Sequence, residues 1–302
     1  MDKCMTDFSQ GAAYVDGQLV PISEAKISLL DWGFLHSDAT YDVAGVLKGK
    51  FFRLDDHIER FFSSMEKLHM SIPHSRSDLR NILIDCVRTS GLRDAYVEMI
   101  CTRGLPQPGS RDPRTCTNQF FAFAIPFVWI ATFEKQKMGL HLIISSRQRI
   151  PPQSVDPTVK NYHWLDMVVG LFEAYERGGE TAIVVDANNN LVEGPGFNVF
   201  AVSGSTLTTP GRGVLEGMTR RTTIEIAPEY GYEVELRDLP AEEALAADEV
   251  FITTTAGGLI PITKIDGRAI GAGTPGPVTQ KLQKRYWETH EDPQYTLEID
   301  YS

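Results

Sequence analysis

No stretch of this chain is apolar for long enough to cross a bilayer. The longest apolar run, FFAFAIPFVWIA (120–131), is too short and is interrupted by Pro126, so it reads as a buried strand. A basic surplus is missing too. With 29 Lys and Arg against 40 Asp and Glu the net charge is −11, which argues against nucleic acid or an anionic membrane as the main partner. An anionic small molecule is not excluded, because local basic groups can hold one. Cysteine is scarce: Cys4, Cys86, Cys101 and Cys116 form no CxxC pair and no metal-ligand spacing. They suit a reduced compartment, and no metal site is expected. The opening MDKCMTDFSQ lacks the apolar core of a signal peptide, so a cytosolic protein is expected. There is no internal repeat, low-complexity tract or coiled coil.

What is present is an ordinary globular composition, 42% hydrophobic and 23% charged over 302 residues, enough for two domains. Residues 12–22 alternate around Asp16-Gly17, and 39–54 around Lys48-Gly49, both hairpin signals. Residues 55–70 carry Ile58, Phe61, Phe62, Met65 and Leu68 at helical spacing, with Asp55 or Asp56 as the expected cap. A second helix is expected over 77–90, ending at Gly91. Strands are expected over 95–103 and 119–130, around a Pro- and Gly-rich loop (104–117) of a length that is often functional. Residues 131–139 form the expected linker. Beyond it come a strand (141–147), a helix (162–178), a hairpin turning on asparagines (181–194) and two strands (198–210). A helix (218–231), a short helix and a strand (240–255) follow. Strands and helices mix without regular βαβ alternation, so the expected class is α+β: a small N-terminal α/β domain (1–130), the linker, and a larger domain (140–302).

The chemistry-bearing residues sit in the second half. Lys160 lies in DPTVKNYHWLD (156–166), among Tyr162, Trp164 and Leu165. Most lysines are surface residues, but a desolvated one has a depressed pKa and becomes a nucleophile able to condense with an aldehyde. Glu193 follows in NLVEGPGFNVF (190–200), where Gly194 and Gly196 let the backbone pass close to a flat ring. Its carboxylate can hold a pyridine nitrogen protonated, which makes the ring an electron sink. Alone, Glu193 would be an ordinary acid at the end of a hairpin. LEGMTR (215–220) places Gly217, Met218 and Thr219 at a helix start, where free N–H groups suit a phosphate. TTTAGG (253–258) offers hydroxyls and glycines as a second cradle. Arg60 can reach the same phosphate, although arginines on helices are usually solvated. Lysine, acid and two anion cradles in this order point to pyridoxal 5'-phosphate (PLP).

As a set these segments resemble the fold-type IV PLP enzymes, over nearly the whole chain: branched-chain and D-amino-acid aminotransferases, aminodeoxychorismate lyases and (R)-selective amine transaminases. Likeness is greatest to the last group, through ISLLDWGFLHSDATYDV (27–43), FFRLDDHIERF (51–61), TRG (102–104), VDPTVKN (155–161), EGPGFNV (193–199), TTTAGG and GPVTQ (276–280). The resemblance implies two domains, the larger with a barrel-like β core and flanking helices, and a homodimer with shared sites. It implies that Lys160 carries the cofactor and shuttles the proton, and that Glu193 holds the ring nitrogen. Arg60, the Met218 backbone N–H, Thr219, Thr254 and Thr255 would bind phosphate, and Leu215 would pack on the ring. Tyr41, Val43 and Ala256 would line the substrate pocket, with His36 near it and serving the neighbouring subunit. Arg111 would meet a keto-acid carboxylate, with Arg114 and Arg103 as competitors in that loop.

The chain departs from the family pattern in KNYHWLD after the lysine, in Pro195, in Glu216 and Met218, and in the small Ala44 and Gly45 and in Leu47 of the pocket strand. These departures bear on substrate range rather than on the cofactor. The implied reaction is a ping-pong transfer from a primary (R)-amine to a keto acid such as pyruvate. The rivals are a branched-chain or D-amino-acid aminotransferase, an aminodeoxychorismate-type lyase, and a PLP-binding protein without turnover.

Overall fold

The computed structural model describes residues 7–302; Cys4 lies outside them. The chain divides into two compact units. One comprises the chain up to Val128 together with Val159–Tyr162 and Asp292–Ser302; the other comprises Trp129–Thr158 and His163–Glu291. This division differs from the expected boundaries of 1–130, 131–139 and 140–302. The last residues return as a strand, Thr296–Glu298, paired with Lys50–Phe52. The expected linker holds a short helix, Phe133–Met138, capped by Thr132.

The first unit is a seven-stranded antiparallel sheet. Its two hairpins turn where the sequence predicts. Asp16 and Gly17 take φ of 51° and 78°, and Lys48 and Gly49 take 53° and 78°, the double left-handed pair of a two-residue hairpin. Helices Leu54–Lys67 and Arg76–Ser90 cover one face. Ile58, Phe61 and Met65 from the first pack with Leu79 and Leu83 from the second and with Val46, Val97 and Met99 from the sheet. Each such burial contributes about 1.5–3 kcal/mol. Asp55 or Asp56 was the expected cap of the first helix, and neither caps it. Arg53, in the left-handed conformation, is its N-cap and the two acids lie in the first turn, where they favour the positive end of the helix. The second helix opens with a Ser75–Asp78 capping box and closes at Gly91. The expected strand 119–130 stops at Pro126, since proline cannot donate to the ladder.

The second unit is a ten-stranded mixed sheet around a core of Leu142, Ile183, Val199, Ile252 and Ile260. Two local βαβ crossovers were not foreseen. Leu140–Gln148 runs parallel to Thr181–Val185 through helix Leu165–Glu176, and Thr206–Pro210 runs parallel to Glu233–Arg237 through helix Met218–Ile226. The first is obscured by the irregular segment 149–164. The second is obscured by the charged, half-exposed sequence of Glu233–Arg237. Leu239–Pro240 comes back against Thr206–Pro210, so the sheet is nearly a closed barrel. The α+β class with a barrel-like larger part therefore holds.

Candidate active site

Strand Ala39–Leu47 sends alternate side chains to opposite faces of its sheet. Its register sets Tyr41 opposite Ile100, Val43 opposite Glu98 and Gly45 opposite Tyr96. The lysine segment is fastened along the edge of this strand, where Thr40 and Asn161 form an antiparallel bridge: the Lys160 carbonyl accepts from Tyr41 N (3.1 Å) and from Thr40 Oγ1 (2.8 Å). Lys160 Nζ lies 4.4 Å from the centre of the Tyr41 ring, a cation–π distance. Tyr41 stacks on Tyr162 at 4.3 Å and 15°. The Tyr162 hydroxyl donates to Glu98 Oε1 at 2.7 Å. Burial pushes the Glu98 carboxyl up, against the pull of the Tyr162 hydrogen bond and the Lys160 charge, and also pushes the Tyr96 and Tyr162 phenols up.

The opposite face carries Asp42. Arg60 grips it with Nε (2.7 Å) and Nη2 (2.8 Å), and His57 Nδ1 lies 2.8 Å away. Burial opposes ionisation of Asp42, but the Arg60 charge and the His57 hydrogen bond overcome it and hold the carboxyl far below its usual range. Burial lowers the His57 pKa more than Asp42 raises it. A neutral imidazole therefore donates to a full carboxylate. Arg60, expected on a phosphate, is bound to Asp42 in this way.

The three candidate arginines separate clearly. Arg103 is committed to Asp38 and to the carbonyls of Leu68 and His69. Arg114 is exposed and folds back on Asp112. Arg111 is exposed and has no hydrogen-bond or ion-pair partner among the described residues. His36 ends the short helix Trp32–His36, exposed, edge-on to Trp32 at 4.9 Å.

In the second unit Glu193 is buried, and Gly194 and Gly196 shape its turn. A Cβ on Gly194 would lie 2.1 Å from the Phe197 ring, and Gly196 needs φ of 82°. Both Glu193 oxygens are engaged: Oε1 accepts from Arg149 Nε (3.2 Å) and Oε2 from the Leu215 N–H (3.0 Å). Asn198 donates to the Leu215 carbonyl at 2.9 Å. Gly217 packs so closely that a Cβ would lie 2.2 Å from Asn198 Oδ1. Helix Met218–Ile226 starts after Gly217 without a side-chain cap, so its first N–H groups point at an anion position. Thr219 is buried, with Oγ1 3.3 Å from the Tyr286 hydroxyl. Thr254 Oγ1 accepts from Ala256 N (3.2 Å), the Ala256 carbonyl accepts from Ile130 N (2.8 Å), and Thr255 is half-buried. Thr253 Oγ1 is buried without a hydrogen-bond partner. An uncapped helix start, glycines where a side chain would collide and an orphaned buried hydroxyl fit a phosphorylated ring held largely by backbone.

Residues 39–265 match the family model described as amino-transferase class IV. This chain belongs to the class IV aminotransferases. A relative from Methanocaldococcus jannaschii, described as a putative branched-chain-amino-acid aminotransferase, is 33% identical over 276 residues, 90% of this chain and 94% of its own. A D-alanine aminotransferase of Bacillus licheniformis is 29% identical, over 89% of this chain and 93% of its own. Among solved structures, a T.th. branched-chain amino acid aminotransferase with pyridoxamine 5'-phosphate superposes with a TM-score of 0.90 at 28% identity, covering 97% of this chain and 100% of that one. The aminotransferase is thus of the PLP-dependent class expected from its sequence. Among the described residues no group of three or more His, Cys, Asp or Glu could hold a metal ion, and no helix is long and apolar enough to cross a membrane.

The sequence alone assigned no role to Arg149, Asp166, Asp42 or His57, and named Tyr162 only as a neighbour of Lys160. Nor did it assign one to Glu98, whose signal was available: AYVEMIC puts a lone acid in phase with Tyr96 and Ile100 on an otherwise apolar strand.

Proposed function

We propose that this aminotransferase moves an amino group from a primary (R)-amine to a keto acid such as pyruvate by a ping-pong mechanism. The observation that carries this reading is Glu98. It is a buried acid backed by tyrosines on the sheet face that also bears Tyr41 and Lys160, where a donor with an α-carboxylate would call for a cation. A like charge there disfavours amino acids and leaves amines without a carboxylate unopposed. The (R) sense rests on the motif resemblance.

Bound PLP supplies an aldehyde for the amine and a ring that takes up the charge released at the donor carbon. The protein supplies the rest. Lys160 holds the cofactor covalently at rest. Its Nζ would be the base that takes the donor's α-proton and the acid that gives a proton back. Tyr41, 4.4 Å beneath Nζ, orients that amine. Glu193 keeps the ring nitrogen protonated. Leu215 would pack on the ring, while Met218 N–H, Thr219, Thr254 and Thr255 would take the phosphate. Val43 and Ala256 line the substrate side, and Arg111, the uncommitted arginine of the loop, meets the keto-acid carboxylate. A homodimer in the cytosol goes with this reading. It is supported by exposed Leu29, Leu30, Phe34 and Leu35 beside His36, an apolar patch of the kind that marks an interface, and by the free thiols of Cys86, Cys101 and Cys116.

The test is the visible spectrum of the PLP-loaded protein on adding (R)- and then (S)-1-phenylethylamine. Bleaching by the (R)-amine alone, restored by pyruvate, supports the reading. Bleaching only by D-alanine or L-leucine moves the substrate to amino acids. Lys160→Ala is expected to lose at least about 10²–10⁴-fold in turnover, and full retention would refute the assigned role.

A further inference from the structure

Arg149 has no part in the chemistry described so far, yet just past the end of strand Leu140–Gln148 this half-buried residue turns its side chain inward, leaving it 8% exposed. Its backbone N–H is tied to the Val185 carbonyl at 2.8 Å. Its Nε donates to Glu193 Oε1 at 3.2 Å, and its Nη1 donates to Asp166 at 2.9 and 3.2 Å and to the His163 carbonyl at 3.1 Å. Asp166 is itself anchored, accepting from Ile150 N at 3.0 Å and standing in the first turn of helix Leu165–Glu176.

Two consequences follow from elementary electrostatics. A glutamate side chain has three rotatable bonds, so one that must meet a ring nitrogen needs its carboxylate plane fixed. Nε on one oxygen and the Leu215 N–H on the other do that. A bare guanidinium next to Glu193 would fix it too, but would also repel a protonated ring. Asp166 cancels most of that charge while leaving the hydrogen bond in place. The fork also binds the carbonyl of His163.

We propose that Arg149, anchored by Asp166, is a positioning residue that keeps Glu193 ionised and aimed, and so sets the protonation of the cofactor's ring nitrogen. This rests on the reading that Glu193 meets that nitrogen.

The experiment is NMR of the holoenzyme loaded with ring-nitrogen-labelled PLP, titrated across neutral pH for wild type, Arg149→Met, Arg149→Lys and Glu193→Gln. Affinity for PLP and unfolding of each cofactor-free protein are measured alongside. The nitrogen is expected to stay protonated in wild type. In Arg149→Met its apparent pKa is expected to fall by about one unit or more, a tenfold change in that equilibrium. Arg149→Lys keeps the charge but cannot bridge Glu193 and Asp166 with a planar fork. It is expected to shift in the same direction by less, and it carries the test should the methionine variant not fold. A shift in Glu193→Gln without one in the Arg149 variants overturns the role of Arg149 alone. No shift in any of the three overturns the assignment of Glu193 as well.

Discussion

Asp42 and Glu98 are buried carboxylates on adjacent strands of one sheet, and they point to opposite faces. Asp42, on the helix-covered face, has a bidentate arginine and a neutral histidine. Its charge is held far below the usual range against its burial. Glu98, on the Lys160 face, has phenols for partners, and burial prevails, pushing its carboxyl up. Burial thus goes with a fixed charge on one side and an adjustable one on the other, according to the partners. The fixed charge suits structure, because it holds a helix arginine and a helix histidine to the strand. The adjustable charge suits a surface that must discriminate between substrates.

The largest break in this comparison is Asp42→Ala, which takes the buried carboxylate away from both Arg60 and His57. A loss of about 3–5 kcal/mol is expected, read by urea unfolding. The pH dependence has a definite sign. The folded-state pKa of Asp42 lies below its unfolded value of about 3.9, so its contribution is present above that pH and is lost as pH falls towards the folded value. The wild-type protein should therefore lose stability on acidification below about pH 4. The variant should show a shallower slope there; an unchanged slope would place the acid sensitivity elsewhere.

On the other face, Tyr162→Phe removes the hydrogen bond to Glu98 and leaves the ring stack on Tyr41. A cost of about 1.5–3 kcal/mol is expected while Glu98 is ionised, and less once it is protonated. Unfolding measured at two pH values separates these cases. A cost that does not change with pH would mean that Glu98 keeps one protonation state throughout.

The contrast also marks how much was legible in advance. The cofactor side was readable because backbone carries it: Gly194 and Gly217 leave no room for a Cβ and Gly196 needs a positive φ, so their spacing around Glu193 and the helix start survives in the sequence as a pattern. Hairpins at Asp16-Gly17 and Lys48-Gly49 were readable for the same conformational reason. Asp42 and His57 were not, because the first is one polar residue in an apolar run, the second stands among charged residues that look solvated, and the partner of each lies on another element. Arg149 left no signal, since SSRQRIPP has neither the period of a strand nor a recognisable cap. The crossover to Glu233–Arg237 was hidden by its charge. Side-chain pairings between distant segments are properties of the fold, and a single sequence does not display them.

The smallest expected change in stability is also the one that most directly sharpens the comparison. Glu98→Gln keeps an acceptor for both tyrosines and removes only the charge, so stability should change by less than about 1 kcal/mol near neutral pH. Its direction depends on pH. A carboxyl whose folded pKa is raised holds its proton longer in the native state, so wild-type stability falls as pH rises from about 4.3 through the folded value. Glutamine abolishes that slope, and the variant should gain on wild type as pH increases. Substrate choice should move with it. Like charges in a partly buried site repel by about 4 kcal/mol at 4 Å and intermediate dielectric, so even a fraction of that favours amines over amino acids by about tenfold. In Glu98→Gln the ratio of kcat/KM for D-alanine to that for (R)-1-phenylethylamine should rise by about that factor. A ratio that stays put while the pH slope of stability disappears would leave Glu98 an adjustable charge that plays no part in substrate choice.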